Sequence, residues 1–278
     1  MRTEPILVGV LLVAATATFA LDQEPAGAAP VLDCCASAAN GEARGNVFLL
    51  PPQETEAVTG KAHGRVRLKG EAPKVEPLKI SELQAKGCVP EGEALDKRDL
   101  RLLVGPEGGI ANAVISVSVE GDELRVPKEP VVLDQVQCRF DQHVLLVPKG
   151  CTLEYRNSDE VPHNVHTFSM RNKAFNSTLA AGGKKQVKVD EAEAIQVKCD
   201  IHPWMSAYVV VSDTSFAAIT DAEGHFSIPG LAPGEYTAKV WHESLGKQDV
   251  KITIGADGAS EAVEVLLEPK ASRRRRRR

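Results

Sequence analysis

The sequence predicts an all-β protein built as two sandwich-like units. From residue 60 onward, short apolar runs recur, either alternating with polar residues or rich in β-branched side chains, and Gly, Pro, Asn and Asp separate them. Helical periodicity is nearly absent, with only 80–86 patterned like a brief helical turn. The first unit is expected to take its strands from 63–68, 100–104, 113–119, 143–147, 152–156, 186–189, 195–198 and 207–211. The second runs from 215 to about 268. There Asp221-Ala222-Glu223-Gly224 and Pro233-Gly234-Glu235-Tyr236 supply the turn chemistry that joins antiparallel strands, the latter leading into a strand at 237–241. Fewer than about 60 residues make a thin core, so this unit should pack against its neighbour.

The ends of the chain read differently. Residues 1–20 carry an early positive charge, an apolar run over 6–20 and the small-residue ending Thr18-Phe19-Ala20, the pattern of an export signal peptide. The run is short for a membrane span, so a periplasmic or extracellular location is expected, with anchoring by an uncleaved signal as the alternative. Residues 21–59, rich in Ala, Gly, Pro and Glu, read as a flexible tether. The expected domains are then 60–213 with an N-terminal extension, 214–269, and an arginine tail over 270–278. The formal net charge of −5 hides an asymmetry, because the six arginines 273–278 follow an acidic body. In an exported protein the accessible targets of such a tail are acidic envelope surfaces, the alternative being a solvated tail or a tag, and no nucleic-acid partner is expected.

The chemistry concentrates in one loop. Cys199, His202 and Met205 stand as C-x2-H-x2-M, and His163 lies upstream in Val161-Pro162-His163-Asn164. One thiolate, two imidazoles and a thioether form the ligand set of a blue-copper electron-transfer site. Copper is the expected cofactor, in one mononuclear type 1 site. The loop is short enough to bring three side chains toward one point, while His163 must arrive from another strand. His166 is the rival ligand, but strand alternation puts it on the face of Asn164 and opposite His163. His143 reads as a packed strand residue.

Residues 140–211 resemble the cupredoxins, the plastocyanin- and amicyanin-like blue copper proteins. The likeness rests on the strand Val144-Leu145-Leu146-Val147-Pro148, on His163-Asn164-Val165, and on a ligand loop whose spacing and following proline are similar to those of the amicyanins. It implies a Greek-key β-sandwich with His163, Cys199 and His202 as equatorial ligands and Met205 as the axial one. It also implies that Asn164 pins the cysteine loop by hydrogen bonds. The runs Gly108-Gly109-Ile110-Ala111-Asn112 and Trp241-His242-Glu243 extend the resemblance to bacterial exported proteins of the methylamine-utilisation type. The part from 215 to 268 is similar to the carboxypeptidase-regulatory-like, or transthyretin-like, sandwiches. In the Glu193-Ala194-Ile195-Gln196-Val197 approach strand the sequence departs from the small cupredoxins.

Of the six cysteines, five remain once Cys199 is assigned to the metal. Cys88 and Cys138, both at element edges within the part that resembles the exported family, are the expected disulfide. Cys34, Cys35 and Cys151 have no assigned pairing. Seven histidines scattered over 278 residues supply no trinuclear copper centre, and His242-Glu243 lacks the second histidine of a zinc-protease motif. The expectation is an electron carrier and not an enzyme, exchanging single electrons with a cytochrome or a dehydrogenase. Its alternatives are a copper scavenger and a structural surface protein with a vestigial metal site.

Overall fold

A computed structural model of the chain describes residues 58–269. The expected signal peptide (1–20), the tether as far as residue 57, the arginine tail (270–278), Cys34 and Cys35 lie outside the described residues. Among the described residues no helix is long and apolar enough to cross a membrane. The chain opens with strand β1 (Gly60–Leu68), and β2 (Val114–Val117) follows a long irregular stretch. Then come β3 (Val131–Val136), β4 (Arg139–Phe140), β5 (Val144–Pro148), β6 (Thr152–Asn157), β7 (His163–Phe168), β8 (Asn176–Leu179), β9 (Lys184–Lys188), β10 (Ala194–Lys198) and β11 (Ser206–Ser212). The last strands are β12 (Ala217–Ile219), β13 (His225–Leu231), β14 (Gly234–His242), β15 (Gly246–Ile254) and β16 (Val263–Leu267).

The first sandwich packs the sheet β5-β11-β10-β7-β8 on the sheet β4-β3-β6-β9. The chain crosses repeatedly between the two sheets, so the pairs β5–β11 and β3–β6 are parallel. Between the sheets lies one core that includes Leu133, Leu145, Val147, Leu153, Ile195, Val197, Ala207 and Val209. Strand β5 explains its own uninterrupted apolar run, because it is buried on both faces. Leu145 and Val147 enter this core, while Val144 and Leu146 turn outward onto Val114, Ala217 and Trp241 of the second unit.

The expected division of the chain at 213/214 is not the one its strands make. β1, assigned from sequence to the first domain, is the central strand of the sheet β13-β1-β16, and β2 joins β12-β2-β14-β15. The physical reason is the thin core of 214–269: Ala62, Val66, Leu68, Ile115 and Val117 fill it together with Phe226, Ile228, Val240 and Ile252. Gly64 permits the β1–β16 pairing, since a Cβ there would stand 2.0 Å from the Val263 carbonyl oxygen. The first sandwich is therefore inserted between the second strand of the other unit and its remaining strands.

Two local expectations also change. Residues 100–104 form no strand, contributing only the isolated bridge of Val104 to Ile110. The helical pattern at 80–86 amounts to a single turn held by a capping box, in which Gln84 N donates to Ser81 Oγ at 3.3 Å and Ser81 N to Gln84 Oε1 at 3.0 Å. Gly87, at φ +81°, ends that turn and delivers Cys88 to the first core.

Candidate metal centre

The hairpin β10–β11 pairs Lys198 with Ser206, leaving Cys199 to Met205 as its connecting loop. Cys199 N donates to the Met205 carbonyl at 3.2 Å and Met205 N to the His202 carbonyl at 2.9 Å, so the loop closes on itself. Strand β7 lies antiparallel to β10 with His166 opposite Lys198. Running back along β7 therefore carries Asn164 and His163 past the end of the ladder and beside the loop. Alternation turns His163, Val165 and Thr167 inward and leaves His166 partly exposed on the other face.

Three of the residues singled out from sequence meet there. The Nδ1 atoms of His163 and His202 face each other at 2.8 Å, and Cys199 Sγ lies 3.9 Å from His202 Nδ1. One donor atom from each residue falls within 4.8 Å of the other two. Met205 is fully buried in the core that also holds Cys199. The sulfur accepts N–H donors from Asn164 and from His202, each at 3.4 Å, which suits a thiolate. Asn164 also accepts from Asp200 N through Oδ1 and donates through Nδ2 to Asp200 Oδ2 at 3.1 Å, tying β7 to the loop. His166 faces that same Asp200 carboxylate at 3.1 Å, outside the group formed by the two inward histidines and the cysteine. A soft sulfur with two imidazole nitrogens, all buried and convergent, is a donor set that fits copper.

Asp159 belongs to this centre and was not among the residues chosen from sequence. Its Oδ2 accepts from His163 Nε2 at 2.7 Å, so that nitrogen carries the proton and Nδ1 keeps its lone pair toward Cys199 and His202. The same carboxylate accepts from Gln137 N at 2.6 Å and Cys138 N at 2.8 Å. Those two residues form the turn between β3 and β4 at φ +53° and +50°, a left-handed conformation that costs energy in residues other than glycine. The Asp159-x3-His163 spacing was the available signal, but it becomes meaningful only once the distant 137–138 turn supplies the other two donors.

The Cys88–Cys138 disulfide closes over the histidines. A ring nitrogen of His202 lies within 4.8 Å of both sulfurs, and Trp204 Nε1 donates to the Cys138 carbonyl at 3.0 Å while its ring stands 5.1 Å from that of His202. His202 is consequently only 8% exposed, against 0% for His163. Loop logic alone would set the His202 ring edge at the surface; the disulfide and Trp204 cover it instead. Burial, and then the charge of His163, push the His202 pKa below its ordinary value. Cys151 is a buried free thiol elsewhere in the same core, and burial raises its pKa to about 11.

Residues 130–212, which include all four of these ligand-type side chains, match the family of copper binding proteins, plastocyanin/azurin. Residues 200–262 match domain II of polysaccharide lyase family 4. No curated protein matches the chain. Among solved structures, a mutant amicyanin in the Cu(I) form is 22% identical, aligned over 35% of this chain and 98% of its own, with a TM-score of 0.29. A purple cupredoxin from Nitrosopumilus maritimus is 31% identical over 26% of this chain and 81% of its own, at a TM-score of 0.24. A copper-containing nitrite reductase from Thermus scotoductus is 24% identical over 35% of this chain and only 25% of its own, at a TM-score of 0.29.

Proposed function

We propose that this protein is an exported mononuclear type 1 copper protein that carries single electrons between redox partners. The observation that carries the reading is the convergence of His163 Nδ1, His202 Nδ1 and Cys199 Sγ in a buried site whose sulfur accepts two backbone N–H groups. In this reading His163, Cys199 and His202 would hold the metal, with the Met205 thioether as the weak fourth donor. Bound copper supplies one-electron Cu(II)/Cu(I) chemistry. The chain's part is to keep the donors rigid: Asp159 fixes the His163 tautomer, Asn164 ties β7 to the loop, and the hairpin ladder sets the distance from Cys199 to Met205. The second sandwich acts as a brace behind β5 and β11. Export, and partners of the cytochrome or dehydrogenase class, belong to the same proposal.

The cover over His202 favours one second reading, a protein that holds copper without exchanging electrons rapidly. Anaerobic copper titration followed by visible absorption and electron paramagnetic resonance separates the two. An intense, reversible thiolate-to-copper band with a type 1 spectrum supports the carrier, whereas colourless binding of Cu(I) alone supports the holder. Failure to bind copper rejects both.

A further inference from the structure

Beside the metal loop lies a cavity of about 330 Å³ that the electron-carrier reading does not use. Its walls come from the loop itself through Trp204 and Met205, from β4 through Arg139 and Phe140, from the end of β10 through Lys198, and from Arg101 in the stretch before β2. That volume is in the range of small-molecule sites, and its lining combines apolar surface with several cations.

The charges do not cancel within this wall. Arg101 is paired bidentately with Asp99, the one acidic residue of the lining. Lys198 has only the Phe168 ring beneath it, at 5.4 Å. Arg139 is the most telling group. Its side chain is 11% exposed, its Nη2 donates to the Arg98 carbonyl at 2.5 Å and stands 3.6 Å from Asp96, yet its Nε is buried with no hydrogen-bond partner. A buried guanidinium nitrogen without an acceptor is unfavourable, and an anion in the cavity that Arg139 turns its Nε to meet removes that cost. Burial, with the charge of Arg98, holds the Arg139 pKa below its ordinary value, another sign that it lacks full compensation.

We propose that this cavity binds a small organic carboxylate with a flat apolar body, its carboxylate received by Arg139 and Lys198 and its body lying against Trp204 and Phe140. A planar guanidinium matches a carboxylate through two parallel N–H donors, a geometry that inorganic monoanions such as chloride cannot use. Trp204 and Phe140 give an aromatic or short aliphatic body a surface to lie against. Because Trp204 contacts both the cavity and His202, and Met205 lines the cavity, an occupant alters the surroundings of the metal loop. That last step alone rests on the copper reading.

The test uses sodium benzoate as the probe and the full metal-free chain, at constant ionic strength. Trp204 and Trp241 are the two tryptophans, so in a Trp241→Phe background the fluorescence reports the cavity. Saturable binding is expected, with benzamide at least roughly tenfold weaker, since it keeps the ring and loses the charge. Arg139→Met should weaken benzoate by roughly tenfold, Arg139→Lys by less, and Lys198→Met by a few fold. If Arg139→Met fails to fold, Lys198→Met and the benzoate-to-benzamide ratio decide. Equal binding of benzoate and benzamide, no saturation, or an unchanged affinity in Lys198→Met with Arg139→Lys overturns the proposal. In the copper-loaded protein benzoate should shift the thiolate-to-copper band. Binding without such a shift removes the coupling and leaves the site, and failure of the copper reading leaves the metal-free result intact.

Discussion

Asp159→Asn is the sharpest perturbation of the proposed centre, because it changes one atom and leaves the volume alone. The carboxylate accepts three N–H donors: His163 Nε2, Gln137 N and Cys138 N. An amide has one acceptor oxygen and one donor nitrogen, so it cannot serve all three. If the oxygen takes the Oδ1 place and stays with Gln137 N, the amide N–H₂ takes the Oδ2 place, leaves Cys138 N without its acceptor, and faces His163 Nε2, where it is satisfied only when that nitrogen is unprotonated. The proton then moves to Nδ1, the atom 2.8 Å from His202 Nδ1, and His163 loses the lone pair with which it would hold a metal. If the amide turns over, its oxygen keeps Cys138 N and His163 Nε2 and only Gln137 N of the left-handed turn loses its acceptor. Loss of such an outer partner costs about 10- to 100-fold in metal affinity, or roughly 1.4–2.8 kcal/mol. Asp159→Ala should add the cost of two backbone donors left unpaired, about 2–4 kcal/mol of folding stability at roughly 1–2 kcal/mol each. Competition titration with Cu(II), and with Co(II) as a spectroscopic probe, measures the first effect, and urea unfolding of the metal-free protein measures the second. Metal affinity in Asp159→Asn equal to that of the parent would refute the tautomer argument, whatever the stability result.

Cys199→Ser should abolish the thiolate-to-copper band while His166→Ala, whose ring meets Asp200 outside the site, leaves it nearly unchanged; a band surviving in the serine variant removes the ligand assignment. Met205→Leu should keep the blue colour and raise the reduction potential, since a lost axial donor favours Cu(I), and voltammetry showing a fall would count against the axial role. Replacing Cys88 and Cys138 together by Ala opens a loop spanning 50 residues, and loop-closure entropy sets the expected loss at about 4 kcal/mol. In urea unfolding, a loss below about 1 kcal/mol would show that the cover over His202 is held by other contacts. His242 is buried between the units, and burial with the nearby His143 charge lowers its pKa from 6.5 to about 4. Its neutral form is the folded one, so its stability contribution is complete above pH 6.5 and lost as pH falls toward 4, by about 3 kcal/mol for the whole shift. Stability measured against pH for the parent and for His242→Gln should diverge across that window, and parallel curves would exclude the assignment.

The sequence by itself determined the class of the fold and singled out the side chains that the candidate site brings together. Alternating and β-branched runs bounded by turn residues are local signals, legible at β6, β10 and β11 because each strand carries its own inward and outward faces. The C-x2-H-x2-M loop was legible for a similar reason, since its residues lie close along the chain. The His166 alternation argument used only the period of one strand. Tertiary structure decided whatever depends on partners distant in sequence. β1 reads identically whether it serves the first core or the second, and only the need to fill the core of 214–269 assigns it to β13 and β16. Asp159 is an ordinary loop carboxylate until the 137–138 turn and His163 converge on it. The exposure of His202 was decided by a disulfide partner 50 residues away from Cys138 along the chain. Local periodicity records which face of a strand is apolar, but it does not record what covers that face, and the covering groups set the burial, the tautomers and the access of this site.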